Sequence, residues 1–534
     1  MTLINLPFDP RLLPRFADIS PDQILPAIDA AIAEHQAVVA DIVARRPSKF
    51  PEIWMPIERV ANLIDAVWWT VSHLNGVADS PELRAAHAEA QRRLIDNEME
   101  FGQNRDLYDL LVGLTKSSGF ADLHQADQVV VKRTIRDFTM AGVALAPDQR
   151  RRFREISVEL SELSTAFGSA VLDATDAWDE MIDDEHLLAG VSDTDKAMFR
   201  DAARAKGVDG WRVTLQQPSV AAILTFAENR DLRARLYRAN VTRASDQGPC
   251  AGQFDNTPRI SRLIDLRREA AILLGFSNPV EQSLATKMAP NSSEVLAFLR
   301  DLAERARPAA ERDLADLQTF AMEVLGYDDL QPWDVAFASD RLRQRLHAID
   351  EQEIRTYFPV DRVLKGWKNL LGQLFGIRLV DRDNVAVYHP DVRYFDVADD
   401  DGTVIAGVYL DLYARPGKRN GAWMSAARAR LDDGDAQTLP VAYLVCNFAP
   451  SSEAVPSLLS HYDVTTLLHE TGHCLHHLFT RVDRPSIAGI NGFEWDAIEL
   501  PSQLMEDFAW DRGVLTGMSG HFRSGAPLPE TLFD

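Results

Sequence analysis

The segment DVTTLLHETGHCLHHLF, Asp463 to Phe479, packs four histidines and a glutamate into a mostly apolar run. At 100° per residue, Val464, Leu467, Leu468, Leu475, Leu478 and Phe479 fall within about 120° of one another. His469, Glu470, His473, His476 and His477 fall on the opposite side. A solvated helix face more often carries Lys, Glu and Gln. The pattern predicts a helix with one side in a core and the other forming a site.

That side contains H-E-x-x-H: His469, Glu470 and His473. Histidines at i and i+4 stand one turn apart, so their ring nitrogens can converge on one ion, and neutral imidazole suits zinc. Glu470, offset sideways, can reach a water on the metal without ligating it. Chance alone gives the motif in roughly two chains per hundred of this composition, so it needs support from elsewhere. His476 and His477 read as packing, supporting or surface residues. Cys474 leans to the apolar edge and reads as a small core residue.

Downstream, GINGFEWDAIELPSQLMEDFAW predicts a helix from about Asp496. Glu499, Gln503 and Glu506 share one face, and Leu500, Leu504 and Phe508 another. Pro501 is tolerated only near the helix start. A catalytic zinc takes three protein ligands and keeps a position for water. Glu499 is the candidate third ligand. Glu506, two turns on, is placed to accept the other N–H of a ligand imidazole.

Upstream, helix follows helix. ISPDQILPAIDAAIAEH opens with Ser20 as N-cap, Pro21 at the first helical position and Gln23 closing a capping box. Near residue 385 the texture changes. NVAVYHPDVRYFDVADDDGTVIAGVYLDLYARPG alternates around a turn at Asp400–Gly402 and predicts a hairpin. PVAYLVCNF, Pro440 to Phe448, is a further strand and a candidate to pair with a substrate backbone. The fold class is mainly α, with a small antiparallel sheet just ahead of the histidine helix. Three regions follow: 1–150, N-terminal helices; 151–350, a helical wall; and 351–534, the catalytic region.

The chain has 534 residues and a formal net charge of -24, which disfavours nucleic acid and anionic membranes as partners. Three scattered cysteines do not describe a disulfide framework. No run of about 18 apolar residues and no signal-peptide pattern occur, so the expected address is the cytoplasm. No G-x-S-x-G elbow or G-x-x-x-x-G-K-[ST] loop is present.

The block HETGHCLHHLFTRVDRPSIAGINGFEWDAIELPSQLMED resembles the active-site region of the thimet oligopeptidase family of zinc peptidases. VSHLNGVADSPELR, TRASDQGP, LATKMA, LQPWD, YFPVDRVL, YLDLYARPGKRNGAWM and PVAYLVCNF extend the likeness over essentially the whole chain. The resemblance implies an ellipsoidal, helical, zincin-like peptidase with a deep channel. It implies one Zn2+ on His469, His473 and Glu499, Glu470 as catalytic base, and short peptides as substrates of a monomer. Thr471 stands where the family usually has Phe, and Cys474 where it has Gly or Ala, which bears on packing. The family continues beyond the equivalent of Asp534 with substrate-binding helices. The expectation is therefore a C-terminally incomplete record or, as the alternative function, a catalytically impaired zinc- and peptide-binding fragment with exposed apolar surface.

Overall fold

A computed structural model describes residues 8–348, 350–432, 437–452 and 455–533. The N-terminal region is built from Pro21–Arg45 (α1), Phe50–Val77 (α2), Pro81–Gly102 (α3) and, after a shorter helix, Gln125–Met140 (α4). The capping box forms as the sequence predicts: Gln23 Oε1 accepts the Ser20 N–H at 3.2 Å. Ile24 and Ile28 are fully buried and Ile32 half-buried. The middle of the chain is again helical, with one two-stranded ribbon, Asp179–Ile182 against Trp211–Thr214. One of its long helices, Ser292–Phe320 (α5), carries exposed Leu296, Phe298, Leu299, Leu302 and Leu314.

The last third combines Val360–Phe375 (α6), a five-stranded sheet and, after the sheet, His461–Leu478 and several shorter helices. The strands are Arg378–Asp381 (β1), Arg393–Ala398 (β2), Val404–Tyr413 (β3), Trp423–Arg428 (β4) and Val441–Phe448 (β5), in the spatial order β1-β2-β3-β5-β4. The predicted hairpin is β2–β3, with Gly402 in the turn at φ +92. The sheet is mixed rather than wholly antiparallel, because β5 runs parallel to β3 and antiparallel to β4. After β3 the chain leaves a gap one strand wide, places β4, and returns through the gap. β5 suits that slot: all eight of its residues are buried, apolar from Val441 to Cys446 and with the Asn447 amide donating to the carbonyls of Arg419 and Gly421.

Alternation along β5 feeds two cores. Ala442, Leu444, Cys446 and Phe448 join the apolar side of His461–Leu478 (α7) and Trp367 of α6. Val441, Tyr443 and Val445 point the other way, onto Ile24, Ile28, Val67, Val71 and Leu74 of α1 and α2. Val464, Leu467, Leu468, Leu475 and Leu478 of α7 are all buried, each fully buried Leu contributing roughly 1.5–3 kcal/mol. The histidine helix is thus pressed on the sheet, which rests on the N-terminal helices. Among the described residues, no helix is long and apolar enough to cross a membrane.

Candidate active site

The start of α7 is set by Ser460, whose Oγ accepts the Asp463 N–H at 3.1 Å while Asp463 Oδ2 accepts the Ser460 N–H at 2.8 Å. The predicted second helix begins later than Asp496. Trp495–Ala497 forms one 3-10 turn, Glu499 stands at the N-cap, and the helix proper is Leu500–Glu506 (α8). Pro501, lacking an N–H, lies in the first turn where none is needed. Ser502, Met505 and Ala509 face inward, whereas Leu500 and Leu504 are 69% and 60% exposed.

α8 crosses α7 at Gly472. A Cβ there would lie 2.4 Å from Pro501 O and 2.5 Å from Ser502 Cα, so only glycine admits this approach. The crossing brings the predicted residues together. Glu499 Oε2 lies 3.3 Å from His469 Nε2 and 3.2 Å from His473 Nε2. One donor atom from each of the three lies within 4.8 Å of the others. Glu506 Oε1 accepts from His469 Nδ1 at 2.6 Å. That bond fixes the tautomer, leaving a bare lone pair on His469 Nε2 facing a carboxylate oxygen. Two acceptors at such separation require a cation or a proton between them, and the donor set of two imidazoles and one carboxylate fits a divalent ion. Burial holds the His473 pKa below its ordinary value, keeping the ring neutral as a ligand must be.

Glu470 is 5% exposed, and its Oε2 has no hydrogen-bond partner. Burial pushes its pKa up to about 7; His469 opposes the shift and Glu499 adds to it. A carboxyl poised there suits proton transfer near neutrality. Ser502 Oγ donates to Glu499 Oε2 at 2.7 Å, helping to hold that side chain.

His477, His476, Cys474 and Thr471 of α7 make packing contacts. His477 is fully buried, its pKa lowered to about 4 by burial, and its Nε2–H donates to Arg428 O at 3.0 Å. His476 sits edge-on to Phe493 at 4.8 Å. Cys474 is 2% exposed, and burial pushes its thiol pKa up. Thr471 accepts the Trp367 indole N–H at 2.9 Å, tying α7 to α6.

The sequence reading did not single out Lys418. Its Nζ is wholly buried and donates to Asp411 Oδ1 (2.8 Å), Tyr413 O (2.8 Å) and Cys446 O (2.6 Å), joining the ends of β3 and β5 beside the site. Arg415 completes the pairing of Asp411. A lysine after Pro-Gly reads as a solvated turn; only the neighbouring, equally buried Asp411 hints otherwise. The strand expected to pair with substrate is also corrected. Val441–Val445 of β5 is bonded on both sides, and the outer strand next to it is β4.

Known proteins agree with this architecture. The family model described as Peptidase family M3 matches residues 223–534, and the model for the Neurolysin/Thimet oligopeptidase N-terminal domain matches residues 24–150. The chain belongs to peptidase family M3 and is a peptidase by descent. Oligopeptidase A of Haemophilus influenzae is 41% identical over 520 residues, covering 97% of this chain and 76% of the relative. Oligopeptidase A of Escherichia coli is 41% identical over 525 residues, covering 98% and 77%. Dipeptidyl carboxypeptidase of the same organism is 30% identical, covering 98% and 76%. A crystal structure described as an oligoendopeptidase F shares the fold at 16% identity, with a TM-score of 0.51 over 97% of this chain and 71% of that one.

Proposed function

We propose that this chain is a zinc-dependent endopeptidase that hydrolyses short peptides, as the name oligopeptidase A of its relatives suggests. The observation that carries the reading is the approach of Glu499 Oε2 to within 3.3 Å of both imidazoles. His469, His473 and Glu499 would hold one zinc ion, with Glu506 orienting His469. When bound, the ion supplies Lewis acidity that lowers the pKa of water and polarises a carbonyl. Glu470 takes the proton of the attacking water and passes it to the departing amine. Its buried, unpartnered oxygen supports that role. β4, the outer strand, offers main-chain groups along which an extended peptide can lie, making recognition tolerant of sequence. A cytoplasmic address and a monomeric state belong to the same proposal; the three free cysteines fit a reducing compartment.

The test is metal content together with cleavage of a quenched short peptide, with and without a chelator. About one zinc per chain and chelator-sensitive cleavage are expected for a single site of this type. Zinc without cleavage would mark a peptide-binding chain, and absence of zinc would sink the reading.

A further inference from the structure

The segment joining the second and third candidate ligands, residues 480–499, has little secondary structure of its own. It is held from outside, by helices more than three hundred residues earlier in the sequence. Ile487 inserts into the core formed by Phe50, Ile53, Trp54 and Phe138 of α2 and α4. The Ser486 N–H donates to Glu58 Oε1 at 2.7 Å, and Arg484 Nε donates to Asp127 Oδ1 at 2.9 Å. A further anchor is Arg133 of α4. Its Nη1 donates to Asn491 O at 3.1 Å, and its Nη2 donates to Gly492 O at 2.7 Å and Glu494 Oε1 at 3.0 Å. Arg133 is 19% exposed, so these bonds are partly screened from water. Beyond its contacts, Asp496 accepts the Met288 N–H at 3.0 Å and the Ala289 N–H at 2.9 Å.

From Glu494 onward the path to Glu499 is short. Ala497 N–H donates to Glu494 O at 3.0 Å, closing one turn, and Glu499 follows two residues later. Before Arg133's acceptors the path is equally constrained. A Cβ on Gly492 would lie 2.1 Å from Ile487 O, and one on Gly489 2.8 Å from His477 Nδ1. The segment is therefore folded tightly on itself and on α7. The bonds to the carbonyls of residues 491 and 492 and to the side chain of residue 494 fix the chain entering the turn that bears Glu499, and the Asp496 carboxylate, held by the N–H groups of residues 288 and 289, fixes the turn itself. One planar guanidinium, that of Arg133, reaches all three of its acceptors, which an ammonium cannot do in the same geometry.

We infer that Arg133 is a positioning residue for Glu499. It fixes the main chain from which the carboxylate is presented to His469 and His473. The inference rests on the reading of those residues as a zinc site. It makes the metal's affinity depend on an N-terminal helix that contributes no ligand.

The test compares wild type, Arg133→Ala, Arg133→Lys and, as a control, Arg235→Ala, which removes an exposed pairing with Glu180 far from the site in the sequence. Zinc affinity is measured by competition with a chromophoric chelator, and the ligand field by the visible spectrum of the cobalt(II)-substituted protein. Amide hydrogen exchange across 489–498 is followed in the metal-free protein. Arg133→Ala is expected to bind zinc at least about tenfold more weakly, the lower end of the range for residues that orient ligands. Its cobalt spectrum should change and its amides exchange faster. Arg133→Lys should fall between it and wild type, and Arg235→Ala should match wild type. An Arg133→Ala protein with the wild-type zinc constant and cobalt spectrum would overturn the inference. So would an equal loss in Arg235→Ala, which would mean general destabilisation. A wild-type protein that takes up no zinc would overturn the metal reading, and the role of Arg133 with it.

Discussion

At the scale of single residues, the candidate site separates the proposed ligands, base and orienting group by environment. Glu470 and Glu506 are both glutamates near His469, yet one is buried with its Oε2 lacking a hydrogen-bond partner and the other is bonded to the ring. Glu470→Gln keeps the shape and loses the base. Its turnover should fall about 10²–10⁴-fold with zinc still bound, measured as kcat and metal stoichiometry on one preparation. Glu506→Gln should behave differently. The amide can satisfy His469 only weakly, and zinc affinity should drop about 10–100-fold, read by chelator competition. The proximity of His469, Glu470 and His473 was legible in the sequence because one helical turn brings them together. Glu499 and Glu506 were legible as candidates, because the same period applies to the next helix. Arg133 and Lys418 were not, since each acts on main-chain groups whose proximity only the tertiary fold creates.

At the scale of elements, the approach of α8 to α7 decides whether the site exists. Gly472→Ala would place a methyl against the main chain at Pro501 and Ser502, which no rotamer change can relieve. α8 must then retreat and carry Glu499 away. Zinc affinity should weaken by about tenfold or more, with far-ultraviolet circular dichroism near wild type. The ends of β3 and β5 depend on a buried charge in the same way. Burial lowers the Lys418 pKa to about 8, and Asp411 opposes that shift. Lys418→Met takes the buried ammonium from three carbonyls, those of Asp411, Tyr413 and Cys446, and leaves Asp411 paired with Arg415 alone, and should cost about 3–5 kcal/mol in denaturant unfolding. The start of α8 was misplaced from sequence by four residues, because a single 3-10 turn imitates the onset of a helix. The central, parallel place of β5 was also missed. Its signal was an apolar run without alternation, which indicates burial on both faces but not which strands flank it.

At the scale of the whole molecule, net acidity has a local expression between α2 and α3. Asp65, half-buried, has its pKa pushed up to about 7 by burial, with Glu58 and Glu98 adding to the shift. The native state therefore holds this proton more tightly than the unfolded chain. The contribution to stability is full below the ordinary value of 3.8 and is lost as pH rises through about 7. Asp65→Asn removes the penalty. Its stabilisation relative to wild type should grow between about pH 4 and 7 and level off above, in denaturant titrations at stepped pH. A gain that did not vary with pH would contradict this.

The parity of β5 has a consequence for how this protein can change over time. Even-numbered side chains of Val441–Phe448 serve the histidine helix and odd-numbered ones the N-terminal helices. Deleting or inserting one residue early in the strand would exchange these assignments for everything beyond the lesion, turning the Tyr443 ring toward the histidine helix. Substitutions can accumulate there, but indels of odd length cannot. Descendants of this chain should vary in length at their loops and keep this octet unbroken.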